Sequence, residues 1–146
     1  MRAGLKRAAV GAAAAALVAG GVAGATTISA SGAPQTRTVR FVAVETASHR
    51  FPPTDFVGTD VNRHKGKVIG YDTFAGTFNL HTHVAHIRVA VSWRGGQLFL
   101  RGTETEDGVF TSTITGGTDK YQGASGAVNG HQTSPNKIAL VAHVTF

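Results

Sequence analysis

The chain has 146 residues, no cysteine and a formal net charge of +6. This length suits one domain of ordinary size, and the missing thiols exclude disulfides, thiol catalysis and thiolate metal sites. Outside the basic start, no run of Lys and Arg interleaves with aromatics, so nucleic-acid recognition has no support.

Residues 1–25 read as a secretory signal peptide. Arg2, Lys6 and Arg7 make a basic beginning, residues 8–25 are apolar and Ala-rich, and Ala23-Gly24-Ala25 offers a small-x-small cleavage pattern. The competing reading is an uncleaved anchor, which weakly hydrophobic Ala and Gly disfavour. The expected protein is therefore secreted, begins at Thr26 and has no stable membrane anchor. Of 14 Lys and Arg, three lie in the leader, which leaves eleven against eight Asp and Glu. Residues 26–36, with Pro34, read as a flexible lead. The Ala-rich leader and the Gly, Thr and Val content suit a bacterial product.

From residue 37 to 146 the pattern is all-β. Short segments rich in Val, Ile, Thr and Phe alternate with Gly, Asp, Asn and Pro. Candidate strands cover 38–46, 67–78, 84–93, 97–105, 109–115, 127–133 and 137–146. A break of the second near Ala75-Gly76 would make eight. Residues 49–65, with Pro52-Pro53, read as a long loop.

Two hairpins can be registered. Gly95-Gly96 signals a two-residue turn that pairs Trp93 with Leu98, Val91 with Leu100, Val89 with Gly102 and Ile87 with Glu104. This set is apolar apart from Glu104, so it faces the core, and a one-residue slip would mix the faces. Asp107-Gly108 signals a second tight turn, which pairs Glu104 with Thr111 and Gly102 with Thr113. Thr111 and Thr113 then face inward, while Phe110 and Ile114 join Phe99 outside. Exposed apolar residues this close together suggest an interface between copies of the chain, or cover by a loop. Closing the strands into a barrel removes their open edges. Eight strands enclose side chains or one small ligand.

Residues 114–128 set Gly116, Gly117, Gly123 and Gly126 around Asp119, Tyr121 and Ala124. The stretch resembles the Gly-Gly-Thr-Gly-x-Tyr-x-Gly-Ala-x-Gly signature of the allene oxide cyclase/dirigent-like barrel family, with Asp119 where the family has Gly. Val68, Ile69, Gly70, Tyr71 and Asp72 resemble a second family motif more weakly. The resemblance covers roughly residues 41–146. It implies an antiparallel eight-stranded barrel around a hydrophobic cavity. Members bind a fatty-acid epoxide, orient phenoxy radicals or cyclise polyketides. The expected partner is thus a small hydrophobic molecule, and the expected activity, where there is one, is that of an isomerase or cyclase. The alternative is a non-catalytic binding or structural barrel.

Glu104 is the leading candidate for acid–base chemistry, since desolvation raises the pKa of a buried carboxyl. The competing reading places it at the solvated rim. The family-like motif makes Asp72 a second candidate, against a structural role. Ile87, Val89, Val91 and Leu100, with Thr111 and Thr113, are the expected ligand-lining residues. Tyr121 is expected to pack the glycine loop onto the barrel. His81 and His83 share a strand face but His86 does not, so a three-ligand metal site is not expected. No dinucleotide fingerprint, phosphate loop or nucleophile elbow is present, so no cofactor is implied.

Overall fold

The computed structural model describes residues 33–146. The leader and its cleavage point lie outside the described residues. Eight antiparallel strands close into a barrel in sequence order. They are β1 (Thr36–Phe51), β2 (Asp55–His64), β3 (Lys67–Asn79), β4 (Val84–Trp93), β5 (Gly96–Thr105), β6 (Val109–Gly117), β7 (Ser125–Ser134) and β8 (Lys137–Thr145). One turn of 3₁₀-helix, Asp119–Tyr121, interrupts the β6–β7 connection. β8 pairs with β1 from Thr36↔Thr145 to Val44↔Lys137, which leaves no open edge. Among the described residues no helix is long and apolar enough to cross a membrane.

The eighth strand is β2, in the segment read from sequence as a loop, and β3 runs unbroken through Ala75-Gly76. Two features hid β2. Its inner face carries Asp60 and Asn62, both buried, while Val57 is exposed, so its hydrophobic alternation is inverted. Its turn to β3 is Lys65-Gly66, with φ of 47° and 80°. That is type I′ geometry without the usual Asn-Gly or Asp-Gly sequence.

Both hairpin registers differ from expectation, with different consequences. β4 and β5 pair as Val91↔Leu98, Val89↔Leu100 and Ala85↔Glu104, around an Arg94-Gly95 turn. This is a slip of two residues, so the expected inner face is kept. β5 and β6 pair as Glu104↔Phe110, Gly102↔Ser112 and Leu100↔Ile114. This slip of one reverses β6. Phe110 and Ile114 are buried, and Thr111 and Thr113 are exposed on the outside. The cause is a three-residue loop, Glu106-Asp107-Gly108, in place of a two-residue turn. Gly108, at φ 82°, donates its N–H to the Thr105 carbonyl at 2.9 Å, the pattern of a tight turn followed by a left-handed glycine. The proposed outer cluster of Phe99, Phe110 and Ile114 therefore does not exist; Phe99 alone stays partly exposed.

The barrel has two unlike ends. The lower end is closed by the glycine-rich connection. Asp119 takes the left-handed φ of 52°, and Tyr121 is buried with its ring 5.5 Å from that of Trp93, edge-on. Above them the lumen is packed with Val39, Phe41, Ile87, Val91, Leu98, Leu140 and Val144. The upper end, ringed by the β1–β2, β3–β4, β5–β6 and β7–β8 connections, is open.

Candidate functional site

A cavity of about 170 Å³ enters the barrel at its upper end. Its apolar wall is Phe56, Phe74, Phe78 and Ala85, and its polar wall includes Glu45, Arg50, Glu104 and Gln132. The sequence makes this opening through two reciprocal pairs. Gly58 lies opposite Phe74, and Gly76 lies opposite Phe56. A Cβ on Gly58 would sit 2.2 Å from Cζ of Phe74, and one on Gly76 would sit 2.5 Å from Cζ of Phe56. Each ring tip therefore occupies the space over a glycine instead of reaching across the lumen. The two ring centroids are 6.3 Å apart, tilted by 57°.

Glu104 is 3% exposed and lines this cavity. Of its two sequence readings, the inward one holds. Its place follows from β5, where Leu98, Leu100 and Glu104 share the inner face, and from the three-residue turn that begins two positions later. Gln132 is held beside that turn because its backbone N–H donates to the Gly108 carbonyl at 2.8 Å.

Asp72 is also buried, at 2% exposure, but it belongs to a second group deeper in the wall. Glu45 on β1 lies directly opposite Asp60 on β2, and Asp60 lies directly opposite Asp72 on β3. Residues opposite each other in a ladder share a face, so these three carboxyls form a row along the inner wall. Glu45 connects the row to the cavity, and its Oε1 accepts a 2.8 Å bond from the Ser48 hydroxyl. Neither oxygen of Asp60 has a hydrogen-bond partner among the described residues. Burial, with Glu45 as the lesser cause, raises the Asp60 carboxyl from 3.8 to about 8. Asp60 thus holds a proton at neutral pH.

Of the expected ligand-lining residues, Ile87, Val89, Val91 and Leu100 do face inward and are buried, at 1%, 4%, 0% and 3% exposure. They fill the packed part of the lumen and do not touch the open cavity. Thr111 and Thr113 lie outside the barrel, for the register reason given above. Sequence reasoning missed Glu45, Asp60 and Asn62. The usable signal was the two-residue spacing of Phe56, Gly58, Asp60 and Asn62.

His83 sits in the β3–β4 turn at φ 58°, its Nδ1 2.8 Å from Oε2 of Glu106. His86 is on β4, exposed. Among the described residues no three His, Asp or Glu side chains converge in a metal-holding group.

The barrel is similar in structure to several solved proteins. A pyocyanin demethylase matches with a TM-score of 0.62 and 21% identity over 75% of this chain and 99% of that one. A pterocarpan synthase dirigent protein matches with a TM-score of 0.62 and 12% identity, covering 84% and 96% of the two chains. The fold is that of the dirigent-like barrels. An exo-specific intermolecular Diels-Alderase shares it too, with a TM-score of 0.59 and 10% identity over 79% of this chain and all of that one, a coverage of 100%. No protein-family model and no curated protein matches the sequence. At these identities the likeness concerns the dirigent-like architecture, and function has to be argued from the site.

Proposed function

We propose that this dirigent-like barrel is a secreted protein that binds a small hydrophobic ligand in its upper cavity and acts on it as an isomerase or cyclase. The observation that carries this reading is the buried Glu104 carboxyl set in a cavity walled by Phe56, Phe74 and Phe78. Small-molecule sites combine an apolar wall with a few convergent polar groups. The volume is below the ~300–1,000 Å³ of typical sites. The cavity therefore takes one ring-sized portion of a ligand, and the rest extends past the rim.

In that position Glu104 can take a proton from one atom of the ligand and return it to another as a double bond moves or a ring closes. The aromatic wall fixes the ligand's fold beside the Glu104 carboxyl. The solved dirigent-like neighbours named for a synthase and a Diels-Alderase support this assignment as analogues. The alternative, a non-catalytic binding or structural barrel, draws its support from the lower lumen, which Ile87, Val91 and Leu98 help to fill.

The neutral dye N-phenyl-1-naphthylamine tests occupancy, and candidate ligands are scored by dye displacement and then by product formation. Glu104→Gln keeps shape and dye binding but cannot exchange a proton. Turnover should fall about 100-fold or more. A variant that turns over a displacing ligand at the wild-type rate would remove Glu104 from the reaction. Failure of any apolar probe to bind at the upper cavity would remove the site.

A further inference from the structure

We propose a second binding site at the lower end of the barrel, selective for a small aromatic anion. The groove there has a volume of about 290 Å³ and lies between the start of β1, the end of β4, the 3₁₀ turn and the end of β8. Its apolar floor is a run of three rings. Trp93 meets Tyr121 edge-on at 5.5 Å, and Tyr121 meets Phe146 at 5.9 Å with an interplanar angle of 33°. Arg37 and Lys120 flank these rings, and the groove lining holds no acidic side chain.

Both cations are placed by the fold. The Arg37 guanidinium is 5.7 Å from the Phe146 ring centroid, because β1 pairs Arg37 with Val144 two residues before Phe146. The Lys120 ammonium is 4.8 Å from the Tyr121 centroid. Its stem runs over Gly95, where a Cβ would sit 2.5 Å from Lys120 Cδ. Neither side chain has a carboxylate partner among the described residues. Two cations set against ring faces, above an aromatic floor and with no acidic side chain in the lining, complement a flat apolar body that carries one negative charge. The upper cavity has the opposite balance, with Glu45, Asp55, Glu104 and Glu106 against Arg50. An aromatic anion therefore prefers the lower end.

Trp93 is the single tryptophan of the chain, and it reports on this groove directly. Quenching of its fluorescence by 4-nitrobenzoate should saturate with one site per chain. The neutral 4-nitrobenzamide should bind at least tenfold more weakly. Arg37→Gln with Lys120→Gln should weaken 4-nitrobenzoate at least tenfold with the urea unfolding midpoint unchanged, whereas Glu104→Gln should leave its affinity within twofold. Equal affinity for the amide, or no loss in the double variant, would overturn the proposal. So would loss of binding in Glu104→Gln, which would place the probe in the upper cavity. Binding that appears only when the chain is shortened to begin at Ala33 would mean that the preceding segment fills the groove, and that too would overturn it.

Discussion

Asp60→Asn should stabilise the protein, and the gain should grow with pH. Asp60 is 1% exposed and its carboxyl is raised from 3.8 to about 8, chiefly by burial and secondarily by Glu45. The sign follows from proton counts. Well below pH 4 folded and unfolded chains both hold the proton, and nothing is lost. As pH climbs past the unfolded value, the unfolded chain releases its proton while the folded chain keeps it, so stability falls. The fall ends only above pH 8, where both forms are ionised. At 1.36 kcal/mol per pH unit the penalty reaches about 1 kcal/mol at pH 4.5 and about 5 kcal/mol at pH 7.5, as upper limits. Asn keeps the shape and does not titrate, so the stability gap between variant and wild type should widen by up to about 4 kcal/mol over that interval. Urea unfolding of both proteins at pH 4.5, 6 and 7.5 measures it, and titrating groups that do not interact with Asp60 cancel in the difference. Glu45→Gln should widen the gap less, because Glu45 is the smaller cause. A gap that stays flat with pH, or an Asn variant that is the less stable at pH 7.5, would refute the reasoning.

Gly58→Ala should push the Phe74 ring toward the cavity, since the new Cβ would lie 2.2 Å from its Cζ and 2.7 Å from the Ala47 carbonyl oxygen. The expected cost is about 1–3 kcal/mol, with weaker N-phenyl-1-naphthylamine binding; unchanged dye affinity would show that the glycine does not hold the cavity open. Gly108→Ala should cost about 1–3 kcal/mol in urea unfolding, because the residue sits at φ 82° with Gln132 Cβ 2.6 Å from the added carbon. A neutral result would contradict the three-residue turn. Export should yield a mature chain starting at Thr26, read by intact mass of the culture supernatant; full-length protein confined to membranes would defeat the secreted assignment.

The fold was legible wherever side chains obey a simple period. β4 alternates Ala85, Ile87, Val89, Val91 and Trp93 inward, and a two-residue register error left that face intact because the period is two. The same tolerance was absent at the next hairpin. There one extra loop residue moved Phe110 and Ile114 inside and Thr111 and Thr113 outside. Turn length is set by the left-handed glycine and by the Gly108-to-Thr105 hydrogen bond, and Asp-Gly alone does not distinguish two residues from three. In the glycine signature Tyr121 is buried as expected, and Asp119, standing where the family has Gly, takes a left-handed φ.

The site was half legible for a related physical reason. Glu104 stood out because it interrupts an apolar face whose register could be argued. Asp60 and Asn62 could not stand out, because they make their whole strand look like a loop. A strand whose inner face is polar violates the rule that burial follows hydrophobicity, and such violations cost stability unless something offsets them. In this barrel the cost is limited locally, to less than that of a buried charge. Asp60 stays neutral, and the rings of Phe56 and Phe74, laid over glycines of the neighbouring strand, cover the same stretch of β2 and β3. The strand least like a strand therefore borders the open cavity, and Glu45 links its buried acid to the wall where a ligand would lie. A sequence search for such sites should look for period-two polar residues flanked by a glycine and an aromatic, as in Phe56, Gly58, Asp60 and Asn62, inside segments that hydrophobic patterning assigns to loops.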